Sequence, residues 1–419
     1  MARPHRIVCI GGGTGLPIVL RGFRDYVRQQ LPGWESIDLD ALTVVVSVTD
    51  DGGSSGRLIR EYDTLPPGDL RNCLLALADE TAEPVMKRFF NHRFGASADA
   101  ELAGHSAGNL LIVALAQVHG GDLRRAILDI SRVLSIRGNI LFPTLEPTVL
   151  CARLAGGAVV RGESQIARRH DMAPIESVFL ARRNGGEAGN CEPYTPEAMP
   201  ETLAAIAAAD AIVLGPGSLY SSVIPNLLAA GVAGAIAGSP ARRIYVCNIM
   251  TEPGETEDYT VSDHVAAIRR HGGFAPDVVI ANRQRIDPAF LAQYAIERLA
   301  REYEIVKDSL DQAIRASRRR ALGTGSLIEN VSEHAHKLKA LADELRKISN
   351  KEVQVLYDPA RERLEPPTRL CEIDGISEVE IEEQGSRKTV IRHDPVALTR
   401  AVLDVLRQPP PTGSDPQDC

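Results

Sequence analysis

The sequence predicts an α/β fold, a Rossmann-like and mostly parallel sheet with helices on both faces, plus a charged helical insertion. Short β-branched apolar runs occur at residues 6–10, 43–48 and 209–214, and each ends in a glycine-rich or polar turn. A helical pattern of apolar residues follows each turn, and the alternation continues through residues 243–282. Alternating strands and helices of this kind form parallel sheets, because each crossover helix packs back onto the sheet.

The first strand ends in a glycine-rich loop, and a helix is predicted over residues 16–26. The loop consists of Gly11, Gly12, Gly13, Thr14 and Gly15. It lacks the Gly-Lys-Ser/Thr ending of a P-loop, and Leu16 occupies the place of the last glycine in G-x-G-x-x-G. Glycine lets a backbone approach a phosphate, and a helix N-terminus favours an anion. We expect this loop to bind phosphate; the alternative is a tight strand-to-helix turn.

The second strand leads into a polar loop at residues 50–57. Its candidate ligand residues are Asp50, Asp51, Ser54 and Ser55. The two carboxylates could hold a Mg²⁺ ion that bridges phosphate oxygens, which leaves Mg²⁺ open as a cofactor. Against this, adjacent carboxylates on an extended chain often point to opposite sides. A turn at residues 66–68 follows, and Asp69 is placed to cap the next helix.

The third turn contains Gly215, Pro216, Gly217 and Ser218, with Ser218 as the expected N-cap of a helix over residues 219–230. Loops 11–15, 50–57 and 215–218 all follow strands, so they are expected to gather on one edge of the sheet. Two glycine-rich loops for phosphates, with carboxylates and amides for hydroxyls, suit a nucleotide or a nucleotide-sugar.

The segment Gly104–Gly108 matches G-x-S-x-G, the nucleophile elbow of serine hydrolases, with Ser106 as its serine. That motif requires a buried strand before the serine, whereas the preceding FGASADAELA has no β-branched run. One alternative is a helix start at which His105, Ser106 and Asn109 face a ligand. Another is a helix cap with only a structural role.

The remaining chain divides into predicted elements and four regions. We expect helices over 122–134, over 263–270 with Ser262 as its cap, and over 394–406 at the end of the core. Strands are expected at 243–248 and 278–282, a strand or hairpin within 143–160 and a strand pair within 376–393. Irregular structure is expected at 162–166, 175–180 and 182–200. The regions are a nucleotide-binding core over 1–300, the charged helical insertion over 301–351, a segment completing the core over 352–407 and a disordered tail over 408–419.

Composition excludes several classes of protein. The 419 residues carry a net charge of −8, and the first 300 contain no dense Lys/Arg run, so nucleic-acid binding is not expected. The 7 cysteines are scattered without C-x-x-C, which argues against a disulfide framework or a zinc site and indicates a cytoplasmic protein. The Ala/Leu-rich run at 203–214 contains Asp210, so no membrane span is expected. A homo-oligomer stays open.

Six motifs occur in one order along the chain. They are IGGGTGLPIVLRG, SVTDDGGSSGRL, LPPGDLRNCLLALAD, GHSAGNLL, LGPGSLYSSVIPNLL and YVCNIMTEPGET. Together they resemble the gluconeogenesis factor family, which is related to the 2-phospho-L-lactate transferase that assembles the deazaflavin coenzyme. The resemblance spans about 1–300 and returns at VIRHDPVALTRAVLDVL.

The resemblance implies a Rossmann-like fold and a cytoplasmic bacterial protein linked to cell shape and wall synthesis during growth on gluconeogenic carbon. It implies a UDP-sugar ligand, with UDP-N-acetylglucosamine as first choice. Gly12, Gly13 and Thr14 would face phosphate, and Asp50 or Asp51 would lie where the transferase holds its acceptor. The same cleft would be lined by Asn72, His105, Asn109, Ser218 and Asn248.

The GGSSGRL sequence after Asp51 fits the gluconeogenesis factor branch better than the transferase branch. We therefore expect a binding protein and no catalytic residues. The competing class is a transferase that uses a nucleotide-activated phospho-acid, a deazaflavin acceptor and Mg²⁺.

Overall fold

A computed structural model describes most of the chain. The described residues are 3–79, 84–95, 101–169, 173–183, 191–288, 290, 291, 336, 353–383 and 386–408. The chain divides into two compact units, one formed by Met1–Gln284 with Leu356–Cys419 and the other by Arg285–Val355. The predicted helical insertion at 301–351, apart from His336, and residues 409–419 of the predicted tail lie outside the described residues.

Seven strands of the first unit form one sheet in the order β10-β9-β8-β7-β1-β2-β3, and every pairing in it is parallel. The strands in chain order are β1 Ile7–Gly11, β2 Thr43–Val46, β3 Asn139–Leu141, β4 Thr148–Leu154, β5 Val159–Arg161, β6 Ile175–Arg182, β7 Ala211–Leu214, β8 Arg242–Val246, β9 Val278–Asn282, β10 Arg369–Ile373, β11 Ile376–Glu383 and β12 Ser386–His393. The predicted Rossmann-like α/β fold is confirmed.

Helices of the described residues surround this sheet. They are α1 Leu16–Arg28, α2 Gly53–Tyr62, α3 Pro67–Leu77, α4 Pro84–Asn91, α5 Ala107–Val118, α6 Leu123–Val133, α7 Glu163–Arg168, α8 Pro200–Ala208, α9 Val232–Gly238, α10 Val261–Gly272 and α11 Pro395–Arg407. Helix α1 packs against α3 and α11, and its apolar face lies in the main core with the central strands. Burial of this apolar surface is the main source of stability of such a core.

The central strands explain why three loops meet. Strand β1 pairs with β2 on one side and β7 on the other, and all residues of these three strands are buried. Strands covered on both faces read as continuous apolar runs, which is why the sequence marks them clearly. Because the pairings are parallel, the loops after β1, β2 and β7 leave the sheet at the same edge.

Two smaller sheets accompany the main one. Strands β5, β4 and β6 form an antiparallel sheet, and β11 pairs with β12 as an antiparallel hairpin. The hairpins expected within 143–160 and 376–393 are confirmed. The irregular structure expected at 162–166 and 175–180 is wrong, because these residues belong to α7 and to β6, which pairs with β4 along its length. Pairing with a distant strand decides this element more than local preference does.

Several predicted element boundaries are also wrong. The polar loop expected at 50–57 is largely helix α2. The helix expected at 219–230 is a π-helical turn, Leu219–Val223, followed by a 3₁₀ segment, Ile224–Leu228, and the Ser218 side chain makes no capping hydrogen bond to it. Pro225 interrupts regular α-helical bonding because it lacks an N–H.

Helix α10 begins earlier than expected. Its N-cap is Thr260, not Ser262, and Asp263 completes a reciprocal capping box. The Thr260 hydroxyl accepts a hydrogen bond from the Asp263 N–H, and Asp263 Oδ2 accepts one from the Thr260 N–H at 2.9 Å. Because the box satisfies two backbone donors, Thr260 is the stronger start signal.

Among the described residues, no single helix combines the length and apolar composition that a membrane crossing needs. The neighbouring segments Leu219–Leu228 and Val232–Gly238 reach that composition only as a pair, and they meet at 85°.

Candidate functional site

Two glycine-rich loops lie against each other at the carboxyl ends of β1 and β7. A Cβ added at Gly15 would lie 2.5 Å from the Pro216 carbonyl oxygen, and one added at Gly217 would lie 3.1 Å from the Gly12 oxygen. Only glycine permits backbones this close. The predicted residues Gly11, Gly12, Gly13, Gly15, Gly215 and Gly217 are therefore brought together, with Thr14 exposed beside them.

Asp69 holds the first glycine loop. Gly13 adopts a φ of 64°, and its N–H donates to Asp69 Oδ2 at 2.7 Å. Asp69 was expected to cap α3, but this helix begins at Pro67, whose fixed φ suits the first helical position, and Asp69 lies in its first turn. Its carboxylate thus joins the start of α3 to the loop after β1.

Asp50 and Asp51 follow β2 and have separate partners. Asp50 Oδ1 accepts from the Gly52 N–H at 3.0 Å, and the Ser55 hydroxyl also hydrogen-bonds to this carboxylate. Asp51 Oδ1 accepts from the Ser164 N–H of α7 at 2.8 Å. The two adjacent carboxylates therefore hold different segments: Asp50 holds its own loop, and Asp51 holds the start of α7.

A buried polar chain joins α2 to the start of α5. Ser54 Oγ lies 2.9 Å from His105 Nδ1 and accepts from Asn109 Nδ2 at 3.1 Å. Ser106 is fully buried, and its Oγ accepts from the Asn109 N–H at 3.0 Å as the N-cap of α5. Ser106 therefore caps α5, and its burial does not fit an exposed nucleophile.

Arg71 of α3 extends this chain to the first glycine loop. Its Nη1 donates to Asn109 Oδ1 at 3.3 Å, and its Nη2 donates to Asn72 Oδ1 at 2.8 Å. Asn72 Nδ2 in turn donates to the Gly13 carbonyl at 3.3 Å. The predicted residues Ser54, Asn72, His105 and Asn109 thus form one connected group through an arginine that sequence reasoning missed.

The loop after β8 forms another part of the site. Asn248 Nδ2 donates to Glu252 Oε1 at 3.3 Å, and the Ser218 hydroxyl interacts with the same carboxylate. Glu255 Oε1 accepts from Ser221 Oγ at 2.6 Å, and its Oε2 accepts from the Tyr220 N–H at 3.1 Å. The two glutamates therefore fix the turn after β7 to the strand beside it.

The site is rich in carboxylates that are partly removed from water. Burial, and then the Asp50 charge, raise the pKa of Asp69 to about 7. Burial also raises the pKa of Glu163 to about 9 and of Glu252 to about 8, each helped by neighbouring acids that include Glu255. Interactions among these groups indicate that the acids of four separate segments converge on the cleft.

Sequence reasoning missed Asp69 as a loop anchor, and it missed Arg71, Glu163, Glu252 and Glu255. Four of them lie inside motifs LPPGDLRN and MTEPGET, next to residues that were chosen, so their neighbourhood was the available signal. Glu163 lies in no such motif. Its neighbour Ser164 donates its N–H to Asp51, and this contact between distant parts of the sequence places Glu163 at the site.

A metal site built by protein alone does not occur in the part of the chain that the structure describes, since no group of three or more His, Cys, Asp or Glu side chains could hold an ion. Mg²⁺ commonly binds through one or two carboxylates, several waters and ligand phosphates. Asp50 and Asp69, neighbours in the cleft, fit only that shared arrangement.

Comparison with known proteins agrees with this architecture. The family model described as 2-phospho-L-lactate transferase CofD matches residues 7–309. The Gluconeogenesis factor of Halalkalibacterium halodurans is 40% identical over 297 residues, which cover 71% of this chain and 83% of that protein. The Gluconeogenesis factor of Bacillus subtilis (strain 168) is 39% identical over 298 residues, which cover 71% of this chain and 84% of that protein.

A further relative and a solved structure extend the comparison. A relative from Nostoc sp. is 44% identical over 297 residues, 70% of this chain, and this chain spans only 58% of that relative's length. The crystal structure of a UPF0052 family protein from Bacillus halodurans has 32% identity and a TM-score of 0.67, covering 96% of this chain and all of that chain. The resemblance drawn from the six motifs is confirmed: the chain belongs to the CofD family, together with the gluconeogenesis factors.

Proposed function

We propose that the chain binds a UDP-sugar, with UDP-N-acetylglucosamine as first choice, in the cleft at the carboxyl ends of β1, β2, β7 and β8. The contact between the loops after β1 and β7 carries this proposal. Gly15 and Gly217 have no side chain, so the backbone of both loops is accessible there, next to the N-terminus of α1. Backbone N–H groups at a helix start are suited to a diphosphate.

Two buried atoms support a polar ligand beside these loops. Among the described residues, Arg71 Nε and Asn248 Oδ1 are buried without a hydrogen-bond partner. A buried polar atom left unpaired costs about 1–3 kcal/mol, so a ligand or a water that pairs with it is favoured. Arg71 Nε is a donor and Asn248 Oδ1 is an acceptor. The hydroxyl and acetamido groups of an N-acetylated sugar can accept from the first and donate to the second.

The chain binds this ligand without changing it. Ser106, the serine of the G-x-S-x-G motif, caps α5. Asp50 and Asp51 are occupied by Gly52 and Ser164 and act as walls of the cleft. Any Mg²⁺ present would be shared between cleft carboxylates and the ligand phosphates, where it would offset their charge.

The cellular role we propose is regulation of carbon allocation toward the cell wall by a cytoplasmic protein. The relatives named Gluconeogenesis factor support it. A deletion strain should lose normal cell shape on gluconeogenic carbon and keep it on glucose, and the wild-type gene should restore it. If the deletion strain kept its normal shape on both carbon sources, the proposed cellular role would be wrong.

The binding test is isothermal titration with UDP-N-acetylglucosamine, with and without Mg²⁺, followed by mass analysis of the recovered ligand. We expect saturable binding and intact ligand. Asn248→Ala should raise the Kd roughly tenfold, the loss of one buried hydrogen bond. Asn139→Ala, an exposed change on β3, is the matched control and should bind as the wild type does. No binding under either condition would overturn the proposal.

The second candidate is a phospholactate-type transferase, favoured by the match of the family model to residues 7–309. Its test is incubation with a nucleotide-diphosphate-linked phospholactate donor, a deazaflavin acceptor and Mg²⁺. Release of the nucleotide and growth of the acceptor mass would establish transfer and displace the binding proposal.

A further inference from the structure

Two cysteine residues lie close together, one in the small antiparallel sheet and the other in a segment beside it. Cys151 lies in β4 and is fully buried, and Cys191 is half-buried in the irregular segment 191–199. The Cys191 side chain interacts with the Cys151 thiol, and burial first and this interaction next raise the pKa of Cys151 well above its ordinary value. The two residues are distant in the sequence and meet only through the fold.

Arg161 of β5 lies beside this pair. It is the register partner of Cys151 in the β4–β5 ladder, so both side chains lie on one face of the sheet. Arg161 Nη2 donates to the Arg182 and Arg183 carbonyls at 3.1 and 2.8 Å, and Nη1 lies 3.9 Å from Cys191 Sγ. The carbonyls fix the guanidinium, and its positive charge interacts favourably with a thiolate sulfur.

The segment that carries Cys191 is held against the sheet. The Tyr194 N–H donates to the Leu180 carbonyl at 2.7 Å, and the Arg182 guanidinium lies 3.7 Å from the centre of the Tyr194 ring. The Met199 N–H donates to the Pro143 carbonyl at 3.1 Å. Cys191 is therefore kept next to Cys151 and still partly open to solvent.

We propose that Cys151 and Cys191 are a redox-active thiol pair that a hydroperoxide converts into a reversible disulfide. The half-buried Cys191 sulfur attacks the peroxide and breaks the O–O bond, which gives a sulfenic acid, and the thiol proton leaves with the released alcohol or water. Cys151 then attacks the Cys191 sulfur, the S–S bond forms, and the sulfenic oxygen leaves as water. Both thiols are oxidised, the peroxide is reduced, and a dithiol reductant reverses the change.

The pair is connected to the cleft through a short backbone path. The Gly162 N–H, next to Arg161, donates to the Leu150 carbonyl at 2.8 Å, next to Cys151. Gly162 is followed by Glu163, and the Ser164 N–H donates to Asp51. A disulfide at Cys151 therefore fixes the strand that carries this wall of the cleft.

The experiment treats the full-length reduced protein with a small excess of hydrogen peroxide, blocks free thiols and maps peptides by mass spectrometry. We expect a linked peptide joining residues 151 and 191, two hydrogen atoms lighter than its thiol form, which a dithiol reductant removes. The oxidised protein should unfold at a temperature higher by roughly 5 °C, since the disulfide restricts the unfolded chain.

Variants separate this pair from general thiol oxidation. Cys151→Ser should leave a sulfenic acid on Cys191 that a sulfenic-acid probe traps, and Cys191→Ser should form no linked peptide. Cys371→Ser, at the other half-buried cysteine of the described residues, should oxidise as the wild type does. Free thiols at both positions after peroxide, a disulfide to another cysteine or between chains, or an unlabelled Cys191 in Cys151→Ser would each overturn the proposal.

Discussion

Arg71 of α3 connects this helix to α5 through a hydrogen bond to Asn109, and it also bonds to its neighbour Asn72. Arg71→Met keeps the length of the side chain and removes its donors, which leaves the buried amide oxygen of Asn109 and the half-buried one of Asn72 without these partners. We expect the free energy of unfolding to fall by about 2–3 kcal/mol in urea titrations. Arg137→Met, which breaks an exposed ion pair with Asp40, is the control and should cost less than about 1 kcal/mol. Equal losses in the two variants would contradict this role of Arg71.

The raised pKa of Asp69 predicts that the affinity for the ligand depends on pH. Its pKa is raised to about 7, so its carboxyl is mostly neutral at pH 6 and mostly charged at pH 8. It contacts Gly13, where we place the ligand phosphate. Without Mg²⁺, the Kd for UDP-N-acetylglucosamine should rise roughly fivefold from pH 6 to pH 8 through charge repulsion. Asp69→Asn, which keeps an oxygen acceptor for Gly13, should show a flatter profile; a flat profile in the wild type refutes the effect.

The capping box of α10 gives a prediction at the element scale. Thr260→Ala removes the hydroxyl that accepts from the Asp263 N–H, and it should lower the free energy of unfolding by about 1 kcal/mol. Ser262→Ala should change it by less than about 0.5 kcal/mol, because the Ser262 backbone N–H keeps its bond to Glu362. Chemical denaturation of both variants measures the difference. A larger loss of unfolding free energy in Ser262→Ala than in Thr260→Ala would identify Ser262 as the cap, as the sequence predicted.

The elements differ in how far the sequence determines them. Strands β1, β2 and β7 were predictable, because burial on both faces leaves an uninterrupted apolar run. Helix α2 was not, because Gly53, Ser54 and Ser55 have weak helix preference, and packing of α2 against α3 and α5 supplies the rest. Strand β6 was missed for a similar reason, since its partner β4 lies elsewhere in the sequence.

At the scale of the whole molecule, the meeting of the three loops could be predicted from the expected parallel topology. The cluster of acids at the site could not be predicted from the sequence. Asp69, Glu163 and Glu252 belong to three segments that only the tertiary fold brings near one another. The sequence marks each as one acid among 55 Asp and Glu residues. Their raised pKa values depend on burial and mutual repulsion, which exist only after folding.

This acid cluster sets the direction in which stability changes above pH 6. The pKa values of Asp69, Glu163 and Glu252 are about 7, 9 and 8 in the folded chain and about 4 in the unfolded chain. Between these values the unfolded state binds fewer protons, so stability falls as pH rises. Histidines act oppositely at lower pH: burial lowers the pKa of His393 to about 4, so its contribution is lost as pH falls below about 6.5.

The two slopes oppose each other between about pH 4 and pH 6.5, and above pH 6.5 only the acid slope remains, so the free energy of unfolding should decline from pH 6.5 to pH 9. Denaturant titrations without ligand from pH 5 to pH 9 measure the curve. Glu163→Gln removes the acid with the highest of the three values, so it should flatten the alkaline decline and raise the unfolding temperature at pH 8.5 by at least about 2 °C. Glu378→Gln on the exposed face of β11 is the control and should leave the slope unchanged. A Glu163→Gln curve that declines as steeply as the wild type would show that Glu163 is already charged at neutral pH, and that the cleft satisfies its carboxylate by other means.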